Sequence, residues 1–473
     1  MNIPIYNALM KYSNRSPVSF HMPGHKEGKD SNIPNANELY LMDVTEIPGL
    51  DNLHQPEGII KEAQELAAKA FGADQTFFLV NGSTCGIQAA IMSLCKKGDR
   101  LIVGRDCHRA AVSGMMLAGA EPVYIKPEYE DNFKISSVLK ISDIEKALME
   151  NQDAAGVYIT RPNYYGICSD IKEICRLVHS YGKVLIVDEA HGAHLKFSDK
   201  LPCSALEHGS DICIQSAHKT LPALTPGAYL HVKGSKVDVE KIRYNLDILQ
   251  TSSPPYLVMA FLDISRAVME KDGEQIIEWL LEDIKKFHKN IDDNTHFNVL
   301  SKKKLNIGET DGTRLVINTK NYGLSAFKIE NILRNKYNIQ VEMSDLYNIV
   351  CITTGANKGE DLKKLEDAFC DIDMNFKNSP PLADICIEKM DIPEQKVQLD
   401  QLMHKSFKRM KLTSANGMIS RGMITPYPPG VPVVCPGEVI TEGAIEYIND
   451  ILKFGGNVNG VYDGLEVQVL TSL

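Results

Sequence analysis

The sequence predicts an α/β protein: a mostly parallel sheet with helices on both faces, followed by a small α+β domain and a C-terminal extension. Three observations carry this. From Pro56 to Val232 short apolar runs alternate with stretches of helical period. Those runs are apolar on both sides, as strands covered by two helical layers must be. Further along, Thr313–Thr319, Ile339–Ser344 and Asn348–Thr354 read as antiparallel strands flanked by two helices. The expected division is an N-terminal arm over 1–57, a major domain over 58–290, the small domain over 291–375, and the C-terminal domain over 376–473.

The arm is rich in Pro, Gly, Asn and Asp and carries one expected helix, Ile3 to Ser13. His21 and His25 are four apart, a metal-ligand spacing on a helix, but Pro23-Gly24 between them excludes a helix, and no metal is expected. Ile59, Ile60, Ala63, Leu66, Ala67 and Ala70 then recur at helical spacing until Gly72 stops them. The expected strands are Thr76–Val80, Arg100–Gly104, Pro122–Lys126, Gly156–Arg161, Val184–Asp188, Ile212–Ser216 and Ala228–Val232. Helices are expected at Thr84–Cys95, Arg109–Ala118, Ile141–Glu150 and Ile171–Tyr181. Beyond Lys233 the chain reads as helical to about Asn290, with Ile242, Leu246, Leu249, Trp279 and Leu280 as core positions. Helices at Ser325–Lys336 and Glu360–Asp371 belong with the small domain. A last helix is expected at Pro393–Lys408, before the loop Arg421–Glu438 with its five prolines.

The totals narrow the class. The chain has 473 residues, 44% of them hydrophobic and 24% charged, which is ordinary for a soluble globular protein. A formal net charge of −10 argues against a nucleic-acid partner, whose phosphates need a basic surface. The 11 cysteines show no Cys-x-x-Cys spacing, which suits reduced thiols in a cytoplasm. The N-terminus lacks a signal-peptide pattern, and no run of about 18 apolar residues would span a membrane.

Four short stretches carry chemistry. In open α/β sheets ligands bind beyond the carboxyl ends of strands, and each of the four lies at such an end. Lys219, in Ser216-Ala217-His218-Lys219-Thr220, follows an apolar strand on an irregular loop, because Pro222 and Pro226 exclude a regular helix after it. A lysine amine in a dry pocket has a lowered pKa and attacks carbonyl carbons. Asp188 ends the strand Val184–Asp188, where a carboxylate is costly to bury unpaired. Opposite a pyridine nitrogen it keeps that nitrogen protonated, the condition for pyridoxal phosphate chemistry. The 31 residues separating Asp188 from Lys219 put them on nearby strands. Asn81-Gly82-Ser83-Thr84-Cys85-Gly86 opens a helix and offers N–H and hydroxyl donors to an anion, although Ser or Thr there also serves as a plain N-cap. His108 follows a strand after a short loop, where an imidazole can lie flat on a ring or merely start the next helix. His191 is placed to hold Asp188 or the ring substituents, and His194 reads as structural.

In order and spacing, Asn81-Gly82-Ser83-Thr84, Asp106-Cys107-His108-Arg109, Val187-Asp188-Glu189-Ala190-His191-Gly192 and Ser216-Ala217-His218-Lys219-Thr220 resemble the bacterial ornithine/lysine/arginine decarboxylases, fold-type-I enzymes of pyridoxal 5'-phosphate. The arm His21–Gly28 and the late Pro426–Pro432 with Pro436-Gly437-Glu438 are similar to further signatures of that family. The resemblance implies that Lys219 bonds the cofactor aldehyde, Asp188 pairs with the ring nitrogen and His108 stacks on the ring. It implies that Ser83, Thr84, Ser216 and His218 hold the phosphate, helped by a serine of the neighbouring subunit, Ser252 or Ser253. The sequence starts at the arm, without the response-regulator-like wing of the long members, so a homodimer or a dimer of dimers with the active site at the subunit interface is expected.

The expected reaction is decarboxylation of a basic amino acid, arginine ahead of lysine or ornithine, feeding polyamine synthesis in the cytoplasm. His218 or Lys219 would return the proton to Cα. A distal carboxylate must hold the substrate's cation: Glu438 is the first choice, then Glu46, Asp43 and Asp51. An aminotransferase or another lyase of the same fold stays open, with Arg314 or Arg421 gripping the substrate carboxylate. So does a non-catalytic regulator.

Overall fold

The computed structural model describes residues 1–14, 37–305, 308–382, 391–427 and 430–471. The arm motif His21–Gly28 and Pro428-Pro429 of the proline-rich loop lie outside the described residues. The described chain divides into two compact units, one of residues 1–94 with 184–275 and one of residues 95–183 with 276–473.

In the first unit four strands lie side by side in the order Gln75–Leu79, Ala228–Val232, Ile212–Gln215, Val184–Asp188. Ala228–Val232 runs antiparallel to both neighbours, with Gln75 opposite Val232 and Leu230 opposite Ile214. Val184–Asp188 and Ile212–Gln215 are parallel, with Asp188 opposite Ile214. All four strands are mostly apolar, and all but Gln75 of their residues are buried. Helix Gly82–Leu94 follows the first strand closely: a Cβ on Gly86 would come within 2.5 Å of Leu79 Cδ1, and the Leu79 side chain would have to move to admit it. Helix Ile59–Phe71 ends on Gly72 in the left-handed conformation, as expected.

A polar network crosses this apolar sheet. Glu189, fully buried, accepts from the Ser204 hydroxyl at 2.7 Å, the Ala205 N–H at 2.8 Å and the Gln215 amide at 2.6 Å. The Gln215 oxygen is left to accept from His231 Nε2–H at 3.2 Å. His231 Nδ1 therefore accepts from the Thr76 hydroxyl at 2.8 Å. Each member satisfies the next, the condition for burying polar groups without a net cost.

In the second unit three strands are parallel, with Arg100–Gly104 between Gly156–Thr160 and Glu121–Ile125. The expectation of an α/β fold with mostly parallel pairing therefore holds. A separate antiparallel sheet has the order Asn298–Val299, Arg314–Asn318, Asn348–Ile352, Met343–Ser344. Helices Ala326–Tyr337 and Gly359–Phe376 bury an apolar face in the same core.

Three expectations need correction. The strand foreseen at Ile339–Ser344 is reduced to Met343–Ser344. Trp279 is 62% exposed, because it sits one residue off the buried stripe Leu280, Ile284, Phe287, Ile291 of the helix Tyr256–Asn294. Pro393–Lys408 is not a helix: a 3-10 segment, Leu399–His404, precedes a strand, Phe407–Lys411, that pairs with Glu466–Leu470. That partner lies far along the chain, so no local pattern announced it. The real helix of this segment is Glu442–Lys453, capped by Thr441 and burying Ala444, Ile445, Ile448 and Ile451. Its cap and spacing were legible in the sequence and were missed.

Candidate active site

Lys219 stands on a single helical turn, Ala217–Thr220, rather than on the irregular loop expected from the prolines; the irregular path begins at Leu221. The turn fits because Pro222 lies beyond its last residue. Lys219 Nζ is 3.0 Å from His191 Nε2, a contact the sequence did not foresee. His191 is 5% exposed, and Asp188, which ends the strand before it, is 2% exposed. Asp188 Oδ1 accepts the Ala190 N–H at 3.1 Å. Because the two strands are adjacent and parallel, Asp188 and the Lys219 turn share one sheet edge, as their separation in sequence predicted.

At the start of helix Gly82–Leu94, the Ser216 hydroxyl donates to Ser83 Oγ at 2.9 Å. Ser216 is fully buried, Ser83 half-buried and Thr84 exposed. His218 Nδ1 is 3.0 Å from the Gly227 carbonyl, so Nδ1 carries the proton and Nε2 is the accepting nitrogen of the neutral ring. Burial lowers the His218 pKa from its ordinary 6.5; the Gly227 carbonyl opposes this and the Lys219 charge adds to it. His194 is buried, in keeping with a structural role.

Two hydroxyls at a helix N-terminus, a buried carboxylate at a strand end and an amine beside an imidazole make one donor set. It fits a phosphorylated aldehyde with a basic ring nitrogen. The sequence assigns Glu189 no role, and the structure gives it one. Its N–H donates to the Ile214 carbonyl at 2.9 Å, and its carboxylate anchors the network described above, which sets the backbone just after Asp188.

Ser252 and Ser253 are exposed, on a turn that Gln250 and Thr251 tie to the strand end at Val80 and Asn81. Asp43 and Glu46 are half-buried, and Glu46 accepts from the Thr45 hydroxyl at 2.5 Å. Asp51 has a different task. Its carboxylate accepts the backbone N–H groups of Asn52, Glu57, Gly58, Ile60 and Lys61 at 2.8–3.4 Å. It caps helix Ile59–Phe71, whose own N-cap, Gly58, has no side chain. Burial raises the Asp51 pKa, but these amides outweigh it, and the carboxyl lies below its ordinary 3.8.

His108 belongs to the second unit. It is the N-cap of helix Arg109–Ala118, with Nδ1 accepting the Ala110 N–H at 3.2 Å, and it is exposed. Glu438 corrects the first choice of substrate carboxylate. It is fully buried, with Oε2 bound to Arg105 Nη2 at 2.7 Å and to the Cys435 N–H at 2.6 Å. Buried and with Oε2 already taken, this carboxylate is not presented to a substrate cation. Arg314 lies buried in a strand, and the Arg421 guanidinium stacks on Phe407 at 4.9 Å.

Comparison with known proteins gives the family. The Orn/Lys/Arg decarboxylase major-domain model matches residues 3–314, and the C-terminal-domain model of the same family matches residues 388–468. An arginine decarboxylase of Bacillus anthracis is 36% identical over 97% of this chain and 95% of its own length. One of Bacillus subtilis is 34% identical over 97% and 96%. The solved lysine decarboxylase of Francisella novicida covers 99% of this chain and 81% of its own with a TM-score of 0.84 at 19% identity, a likeness of fold. The aminotransferase and non-catalytic readings therefore fall, and the cofactor is pyridoxal phosphate. With its sequence matched from arm to C-terminal segment, the chain belongs to the Orn/Lys/Arg decarboxylase family and is a decarboxylase of basic amino acids.

Proposed function

We propose that the substrate is arginine, split to agmatine and CO₂. The observation that carries the chemistry is the buried Asp188 on the same sheet edge as the Lys219 amine, itself 3.0 Å from His191. Arginine is favoured over lysine by two relatives named arginine decarboxylase, 36% and 34% identical over 97% of this chain.

When bound, the cofactor supplies an electron sink for the carbon that loses CO₂. In this reading Asp188 would keep the ring nitrogen protonated, and His108 would be the imidazole that stacks on the ring. Ser83, Thr84 and Ser216, with the helix N-terminus behind them, hold the phosphate. With Nδ1–H committed to the Gly227 carbonyl, His218 would donate to the phosphate only from a protonated Nε2. His191 orients the Lys219 amine, and Lys219 Nζ returns the proton to Cα after CO₂ leaves. Asp43 and Glu46 remain as carriers of the carboxylate for the substrate's guanidinium. Ser253, exposed on its own chain, serves a neighbouring copy in a homodimer or a dimer of dimers.

No helix among the described residues is long and apolar enough to cross a membrane. A cytoplasmic place, and a role supplying polyamine synthesis, complete the reading. The test is a product assay on purified protein with arginine, lysine and ornithine. Agmatine and CO₂ should form with a kcat/KM at least about tenfold above that for the other two, the low end of the difference that even one methylene makes in a binding pocket. Faster release of cadaverine or putrescine would overturn the assignment.

A further inference from the structure

The buried pair that removes Glu438 from substrate binding has a second partner in sequence. Arg105 lies three residues before His108, at the end of strand Arg100–Gly104. Its N–H donates to the Ile125 carbonyl at 2.8 Å, and the Cys107 N–H closes a turn on Gly104 at 3.0 Å. Its guanidinium is enclosed by the C-terminal segment. Nη2 donates to Glu438 Oε2 at 2.7 Å and to the Val433 carbonyl at 3.2 Å, and Nη1 donates to Cys435 Sγ at 2.6 Å. The cation also lies 4.6 Å from the centre of the Tyr124 ring. Arg105 is 8% exposed and Glu438 is fully buried.

Glu438 is itself held in place. A Cβ on Gly437, at φ +83°, would sit 2.2 Å from the Val397 carbonyl, so the turn that delivers Glu438 requires glycine. His108, by contrast, is exposed. Its cap bond to Ala110 fixes the ring from the helix side. The turn Gly104–Cys107 holds it from the strand side, and the Arg105 guanidinium ties that turn to the C-terminal segment.

We infer that Arg105 and Glu438 are positioning residues for the decarboxylation, through which the C-terminal segment sets the turn that carries His108. This rests on the reading of His108 as the imidazole that covers the cofactor ring. A planar fork satisfied on both nitrogens holds orientation as well as charge, which a lysine in its place would not do.

The test is a double-mutant cycle of Glu438→Gln with His108→Ala, read in two ways. In cofactor-free protein, amide exchange across residues 105–110 should accelerate about tenfold or more in Glu438→Gln, as the turn loses its anchor. In holoenzyme, Glu438→Gln should shift the absorption band of the bound cofactor. It should also lower kcat about 10- to 100-fold with KM within about twofold, the pattern of a lost transition-state interaction. In the His108→Ala background the same substitution should change kcat by less than about threefold. Equal effects of Glu438→Gln in both backgrounds, or a lowered melting temperature with unchanged exchange, band and kcat, would overturn the inference. A His108→Ala enzyme indistinguishable from wild type would instead refute the role of His108 and remove the basis for the pair's action. If Glu438→Gln does not fold, Cys435→Ala removes one contact to the guanidinium and keeps the ion pair. It should move exchange and kcat in the same direction by about threefold, and no change in either would count against the inference.

Discussion

His231 should make the protein acid-labile well above the range where carboxylates titrate. The ring is fully buried, packed 4.8 Å from Phe71, with no carboxylate among its hydrogen-bond partners Thr76 and Gln215. Burial alone pushes its pKa from 6.5 down to about 3. In the unfolded chain the ring takes a proton near 6.5, whereas in the folded chain it stays neutral. The unfolded state therefore binds more protons between these values, and stability rises with pH across that window. The contribution is fully present above 6.5 and is lost as pH falls toward 3. One proton corresponds to about 1.4 kcal/mol per pH unit, so the loss is about 2 kcal/mol at pH 5 and about 3 kcal/mol at pH 4. His231→Gln keeps polar atoms for Thr76 and Gln215 but cannot titrate. Urea unfolding of the cofactor-free protein, followed by circular dichroism at half-unit steps from pH 7.5 to 4.5, compares the two. The variant should start less stable at neutral pH and lose stability with acid less steeply, by about one proton. Parallel curves would refute the claim that the native fold keeps this histidine neutral.

Two further outcomes follow from the geometry. Asp188→Asn keeps the shape of a side chain that is 2% exposed but removes its charge; steady-state CO₂ release should fall by about two to three powers of ten, as breaking a buried pair costs about 3–5 kcal/mol, while circular dichroism stays unchanged. Asp51→Ala strips the cap from helix Ile59–Phe71 and should lower stability by about 1–2 kcal/mol in urea titration, with kcat preserved, whereas a substrate-binding carboxylate would show its loss in KM.

The sequence by itself determined the alternation of elements, the strand ends that carry Asp188 and Lys219, and the start of helix Gly82–Leu94. These are local properties: two-sided apolar runs, a glycine stop at Gly72, polar residues where an apolar run ends. It also determined the family, because the four short motifs keep their order and spacing. Tertiary structure decided what each polar group faces, since hydrogen-bond partners far apart in sequence leave no local trace. Asp51, Glu46 and Glu438 read alike as loop acids, yet one caps a helix through five amides and another is sealed against Arg105, 333 positions away. The contact between Lys219 and His191, the chain Glu189–Gln215–His231–Thr76 and the pairing of Phe407–Lys411 with Glu466–Leu470 are of the same kind. Each depends on where the backbone brings two residues together, and periodicity carries no information about that.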